Sequence, residues 1–314
     1  MPTESESEEF KVECKHTLNC KNGAFRSVAW NVDGNYCLTS ASDKSVMLWN
    51  PHKGKLLQSY VGHGSEALVA RSSGDNGSIA SGGADRTVIL WDVATAAPLK
   101  RWREHAGKIN GVCFNELSSV VISASADATG AAWDTRSKSK SAIITFGKFG
   151  DSATSAVVDE AEVLFGCLDG KVWRFDLRNG KQITDTIGAP VVDAEFSSDS
   201  QCVLVSTMDN CIRLFDKVDG KLLAEYVGHV AKDFHVRAMT NFDDSLIVGG
   251  SENGKLLFWR TVSSNVVLTL DHPEVSLVNG CAHPKENKFL SIARNVLRLW
   301  GSPEDDPDSE ENIE

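Results

Sequence analysis

The chain has 314 residues, 41% of them hydrophobic, which is ample for a core, and a formal net charge of −11. The charge is local: residues 1–9 carry four acids and residues 301–314 carry seven, with no Lys or Arg in either, so the 10–300 body is formally neutral. Neutrality argues against the broad basic footprint of a general nucleic-acid binder, leaving room only for a local patch, and no apolar run approaches the ~20 residues that span a bilayer.

In chain order, residues 1–9 are acidic and Ser-rich and are expected to be disordered. FKVECKHTL at 10–18 reads as a strand with no partner in its own repeat. A polar turn, NVDGNY at 31–36, leads to a Ser-Asp strand and an aromatic strand ending at Trp49; the outer strand GKLLQSY (54–60) and the loop Gly62-His63 follow. The clearest unit is SIASGGADRTVILWD at 78–92. One strand ends at Ser81, residues 82–86 supply a turn, and the β-branched run 87–91 favours a pleated, half-buried surface. The Gly-Gly pairs at 82–83 and 249–250 sit at strand ends, where close packing is the expected reason. PLKRW (98–102), Glu104-His105 and the inner strand KINGVCF (108–114) come next. Later outer strands are predicted at 141–146, 180–186, 220–226 and 265–270, with further His loops at Gly228-His229 and, more loosely, Asp271-His272. Residues 301–314 form a second acidic tail, also expected to be disordered. Eight cysteines stand singly, without a C-x-x-C pair. With no N-terminal apolar segment, they set the expectation of a reducing compartment, cytosol or nucleus.

One offset recurs. Asp43, Asp85, Asp127, Asp169 and Asp209 each precede an aromatic residue by six positions, at Trp49, Trp91, Trp133, Phe175 and Phe215. Asn253 and Arg294 hold that place before Trp259 and Trp300, and Arg294 in place of Asp is expected to loosen the last turn. Successive anchors differ by 42, 42, 42, 40, 44 and 41 residues. Such a period is the sign of a propeller, because one repeat cannot bury its own faces. Seven anchors predict an all-β, seven-bladed propeller over 10–300 as one domain. The last repeat ends at Trp300 without an outer strand, so residues 11–18 are expected to complete it and remove the open edge.

This His–Ser–Asp–Trp pattern resembles the WD-repeat family across residues 10–300. NVDGNYCLTSASDKSVMLWNPHKGKLL (31–57), SGGADRTVILWDVA (81–94), HAGKINGVCFNE (105–116) and LDGKVWRFDLRNGK (168–181) are similar to one branch of it, the mitogen-activated protein kinase organizers, also met as spliceosome-associated proteins. The resemblance implies a non-catalytic scaffold in kinase signalling and pre-mRNA splicing, in cytoplasm and nucleus, with kinase-pathway components and splicing factors as partners. No cofactor, metal, small-molecule substrate, membrane or direct nucleic-acid partner is expected, and the protein is expected to be a monomer within larger complexes.

Two blades carry a full tetrad at family-matching positions: His63, Ser81, Asp85 and Trp91, then His105, Ser123, Asp127 and Trp133. A His–Ser–Asp grouping invites a hydrolase reading, as do the acids and His that some propellers place around a central channel. The structural reading is preferred, because the grouping recurs and the acids are mostly claimed by turns. Asp can accept from His, His can engage Ser, and Ser can meet the Trp N–H, satisfying buried polar groups. Phe at 175 and 215 keeps the bulk and loses the donor. No Gly-rich phosphate loop, H-E-x-x-H or metal-spaced Cys/His set occurs, and aromatics do not alternate with Lys/Arg as an RNA-stacking sheet requires.

Two interaction sites are expected. The face bearing the His loops and Asp turns presents, by the family's pattern, Arg26 and Ser42 with Ala24, Glu66 and Leu68 with Ala84, and Lys108 and Asn110 with Ala126. A Leu read as exposed among mixed charges there has the composition of a protein-binding rim. Trp133, Asp134 and Arg136, in WDTR, resemble the motif by which propellers dock onto the damage-binding-protein adaptor of cullin ligases. Residues 130–132, Gly-Ala-Ala, depart from it, so a ligase substrate receptor stands as the alternative.

Overall fold

The computed structural model describes residues 10–274 and 276–303. The disorder expected of residues 1–9, and of the second tail from 304 onward, lies outside the described residues. Within them, all regular elements are β-strands, arranged as seven four-stranded antiparallel sheets. The second sheet is representative: inner strand Ala67–Ser72, then Ser78–Gly83, Val88–Asp92 and outer strand Pro98–Trp102.

The six-residue offset has a local cause. In six blades the residue after the Asp position is left-handed: Lys44 (φ 75), Arg86 (φ 63), Ala128 (φ 62), Gly170 (φ 78), Asn210 (φ 62) and Gly254 (φ 85). A non-Gly residue is strained there. The preceding carboxylate offsets the strain by accepting the N–H two residues on, at 3.0 Å from Ser45, 3.2 Å from Thr87, 3.1 Å from Thr129 and 3.0 Å from Lys171. The last blade corrects the sequence reading. Its Ser291 stands nine residues before Trp300, whereas Ser81 and Ser123 stand ten before Trp91 and Trp133. The turn is one residue shorter, and Arg294 (φ 50) is itself the left-handed residue. It is not a loosened copy: Arg294 and Asn295 carbonyls accept from Phe25 N (2.6 Å) and Cys20 N (2.8 Å), tying the turn to the first blade.

The blades do not have private cores. Seven apolar clusters each straddle one interface between neighbouring blades. Tyr60 and Val46 of blade one, for example, pack with Ile79 and Trp91 of blade two. The ring is closed as expected, with a small shift: Glu13–Asn19, in place of residues 11–18, pairs antiparallel with Val296–Gly301, setting Leu18 opposite Leu297 and Glu13 opposite Gly301. Ahead of that strand, Phe10 packs 5.8 Å from Phe258 and 6.1 Å from Phe289, across blades six and seven.

Blade three departs from expectation at its outer edge, where the strand is Ile144–Phe146 rather than residues 141–146. The RSKSKS segment before it is turned by its own side chains. Asp134 accepts the Arg136 and Ser137 N–H groups (2.7 and 3.0 Å), and the Ser137 and Ser139 hydroxyls accept those of Ser139 and Ser141 (both 3.1 Å).

Candidate functional site

In blades two and three the tetrads assemble. His63 Nδ1 lies 3.1 Å from Asp85 Oδ1 and its Nε2 2.8 Å from Ser81 Oγ, which also accepts Trp91 Nε1–H at 2.8 Å. The His105–Asp127, His105–Ser123 and Trp133–Ser123 distances are 3.0, 2.9 and 2.9 Å. Each Asp also accepts a backbone N–H of the His loop, Gly64 at 2.6 Å and Ala106 at 2.7 Å, which fastens that loop to the turn. Gly82 and Gly83 make room for this: a Cβ on Gly83 would stand 2.6 Å from His63 and Asp85, and one on Gly82 2.4 Å from Ile109. Burial draws the His63 pKa down, with Asp85 pulling the other way. Burial works to raise the Asp127 carboxyl, but bonds from Thr129 and His105 outweigh it and hold the group below its ordinary value. Ser81 and Ser123 are 0% exposed, so no substrate carbonyl reaches either hydroxyl, and the tetrads are tie-rods between loop and turn. Asp85→Ala and Asp127→Ala are each expected to lower stability by about 1–3 kcal/mol through unsatisfied buried donors. Urea melts read this directly, and a variant that keeps native stability would remove the structural role.

The other blades show how far the pattern bends. In blade four Gly150 N bonds Asp169 at 3.0 Å, as Gly64 N bonds Asp85, so Phe149 occupies the His position. Phe165 stands where Ser is expected, and Phe149, Phe165 and Phe175 form an aromatic cluster with centroids 5.3–6.4 Å apart. The outcome for the histidines is inverted. In blade six Gly249 stands where a Ser would be, and both ring nitrogens of His229 are buried without partners among the described residues. His272, the looser match, bonds Ser291 Oγ at 2.7 Å, which accepts Trp300 Nε1–H at 2.8 Å. The signal that separates them is legible: a hydroxyl nine or ten residues before the anchor.

The expected interaction face divides in the same way. Arg26 forms a two-pronged pair with Glu66 (3.0 and 3.2 Å) that bridges blades one and two. Ser42 Oγ accepts Ala24 N at 2.9 Å, and the Asn110 amide donates to Ala153 O at 2.8 Å. Leu68, expected to be exposed, is half-buried, because the inner strand from Ala67 already runs between neighbouring blades. Lys108 is exposed and makes no side-chain bond among the described residues. In the WDTR segment Trp133 is 0% exposed and Asp134 is spent on capping, while the Arg136 side chain is 79% exposed and only 4.0 Å from Asp134.

The central channel holds a cluster that sequence reasoning missed. Arg71 and Glu195 each follow the inner-strand residue paired with the position ten before the anchor (Ala70↔Ser81, Ala194↔Val205), so they share one level. Asp193 and Arg237 precede the equivalent residues, Ala194 and Ala238, and share the next level. Burial raises Asp193, opposed by Arg237 and Arg71; burial and then Asp193 raise Glu195 to about 7. The four line a cavity of about 490 Å³ whose mouth includes Trp30, Phe114 and Ala282, the ends of inner strands, so it opens on the face opposite the tetrads. Not every acid outside the tails is therefore claimed by a turn. The sequence signal was VVDAEF, with two acids alternating among apolar residues of one strand. Among the described residues, no group of three His, Cys, Asp or Glu could hold a metal, and no helix is long and apolar enough to cross a membrane.

The closed ring of repeated sheets and the two buried tetrads define a WD-repeat propeller, a class of generally non-catalytic platforms for protein–protein interaction. The WD domain, G-beta repeat family matches residues 12–50, 54–92, 96–134 and 181–216. The chain belongs to the WD-repeat family, and it is homologous to WD repeat domain-containing protein 83. It is 42% identical to that protein from Rattus norvegicus and to that from Homo sapiens, in each case over 284 residues covering 90% of both chains. It is 28% identical to the homolog from Dictyostelium discoideum, over 94% of this chain and 99% of that protein.

Proposed function

We propose that the protein is a non-catalytic scaffold whose propeller face captures partner proteins in mitogen-activated protein kinase signalling and in pre-mRNA splicing, in the cytoplasm and the nucleus, as a monomer within larger complexes. The observation that carries the scaffold reading is the ring itself. In blades two and three the histidines, serines and tryptophans at the repeat positions are consumed in holding loops to turns, which leaves rigid faces for binding. The signalling and splicing roles rest on the resemblance of residues 31–57, 81–94, 105–116 and 168–181 to the kinase-organizer branch. On this reading Lys108 is the free cation of the binding face, and Arg26 acts there together with Glu66.

Affinity purification with quantitative mass spectrometry tests it. Wild-type chain is expected to recover kinase-pathway components and splicing factors, and Arg26→Glu with Lys108→Glu is expected to weaken that recovery severalfold. The melting temperature should fall only slightly, because the lost Arg26–Glu66 pair is about 40% exposed and such pairs contribute little. Full recovery by the folded double variant would move the site to another face. The exposed Arg136 side chain keeps one second reading in view, a substrate receptor of a cullin-RING ligase. Recovery of cullin adaptors, lost on Arg136→Ala, would select it.

A further inference from the structure

We infer that the rim between blades two and three is a docking groove for an acidic segment of a partner protein, one that carries carboxylates or phosphates beside an apolar side chain. The inference rests on the scaffold reading and adds to it a second, chemically defined surface. Charge is segregated within the neutral body: residues 98–148 contain eight Lys and Arg against four Asp and Glu. Five of those cations, Lys100, Arg101, Arg136, Lys138 and Lys140, line a groove of about 460 Å³ together with Leu99 and Trp102.

The groove follows from the short outer strand. In blades one, two and four the outer strand reaches the aromatic anchor, pairing Trp49 with Leu56, Trp91 with Pro98 and Phe175 with Gln182. In blade three pairing stops at Ala132, and the chain from Arg136 to Lys140 is diverted outward. The uncovered edge is held by the neighbouring blade, where Lys100 Nζ donates to the Asp134 carbonyl at 3.0 Å and to that of Ser137. Lys100 is thus committed, whereas Arg136, Lys138 and Lys140 are exposed. The nearby acids are engaged with backbone, Asp134 at Arg136 N and Ser137 N, and Glu104 at Ala142 N (3.0 Å). Arg136 is paired loosely with Asp134 at 4.0 Å while Lys138 and Lys140 face solvent, so the cations outnumber the nearby acids and their charge is complementary to an anionic segment.

Two further observations favour a polypeptide over single-stranded nucleic acid. Trp102, the aromatic ring that lines the groove, is 2% exposed and stacked 5.6 Å from the buried Trp133, so it offers no free face to a base. Leu99 and Ile143, 54% and 55% exposed, stand beside the cations and offer apolar anchorage.

The test uses purified full-length chain and three fluorescent probes: a short Leu-containing Asp/Glu peptide, the same peptide with phosphoserines for carboxylates, and a single-stranded RNA of equal charge. At least one peptide is expected to bind, more weakly as salt rises, and R136E/K138E/K140E is expected to weaken it by about tenfold or more at unchanged melting temperature. Preference for the phosphorylated peptide assigns the anion as phosphate, and preference for the other as carboxylate. The inference is overturned if neither peptide binds, if the folded triple variant binds as wild type does, or if the RNA binds more tightly than both peptides. Because the assay uses synthetic peptides, its failure leaves the partner-capture experiment on the other cationic site, Arg26 and Lys108, still to decide the scaffold reading.

Discussion

A chain lacking residues 1–19 is expected to lose most of its cooperative unfolding transition, whereas one lacking only residues 1–9 should melt as the full-length protein does. The first deletion removes the strand Glu13–Asn19 and with it six residue pairings to Val296–Gly301. It uncovers the side of a strand that is buried at every position, Val296 through Gly301. Leu18 leaves a cluster it shares with Leu297, Leu299 and Trp49, and Phe10 leaves Phe258 and Phe289. Burial of a Leu or Phe side chain is worth about 1.5–3 kcal/mol, so the summed loss is several kcal/mol against a total of about 5–15 kcal/mol for an ordinary domain. Because each cluster spans two blades, opening one interface also weakens its neighbours. The exposed edge should promote association, visible as a concentration-dependent melt. The cut after residue 9 spares Phe10. Leu18→Ala, expected to cost about 2–4 kcal/mol, separates the packing contribution from strand loss. Matched melting curves for the full chain and both truncations would refute the closure.

The ring was legible because its signal is periodic and local. An aromatic anchor six residues after an Asp reports a turn with one left-handed residue, and Asp43, Asp85, Asp127 and Asp169 all bond the N–H two residues on. The orphan strand was legible by counting. What could not be read was compensation between positions. Arg294 lies six residues before Trp300 yet does not occupy the Asp position, because a deletion in the turn keeps the offset and changes the geometry. Phe149 occupies a His position that no spacing rule found, since the hairpin between the first two strands of its blade is two residues shorter than in blade two. On the expected interaction face Leu68 is half-buried and Asn110 and Ser42 are already bonded for a related reason: family position says which residues lie on a face, and only the packing says which are already engaged. The channel charges were hidden for a different reason. Arg71, Asp193, Glu195 and Arg237 are scattered over three blades, and only the shared register brings them to two levels of one cavity.

Stability is expected to decline as pH falls from neutrality toward about 5, and His229→Leu should remove a large part of that decline. Burial pushes the His229 pKa from 6.5 to about 4, with Asp209 opposing weakly, and burial, Arg237 and Lys108 do the same for His235. His63, His272 and His283 are lowered too, burial being the largest cause in each. A base whose folded pKa is depressed takes up its proton first in the unfolded chain. Between the unfolded value near 6.5 and the folded value near 4 the unfolded state binds more protons, so stability is full above that window and is lost as pH falls through it. At about pH 5 the His229 share comes to about 2 kcal/mol. Carboxylates held low by hydrogen bonds, such as Asp75 through Ser73 and Gly77, lose their contribution only below their ordinary value of 3.8, whereas Glu195, raised to about 7, takes up its proton first in the folded chain and offsets part of the histidine decline in the same window. His229 is the informative site because it gives nothing in return: both ring nitrogens are buried and unpartnered, and the ring meets Trp259 edge-on at 5.8 Å. Leu of similar volume keeps the apolar contact and removes the unsatisfied polar atoms. The variant should therefore be at least as stable as wild type at about pH 7.5 and more stable by about 2 kcal/mol at about pH 5. His63→Leu must behave oppositely at neutral pH, because it strands Asp85 and the Ser81 hydroxyl. Urea midpoints for the two variants at both pH values decide the matter. An acid decline unchanged by His229→Leu, or a neutral-pH loss as large as that of His63→Leu, would show that the His229 ring is hydrogen-bonded like its counterpart in blade two.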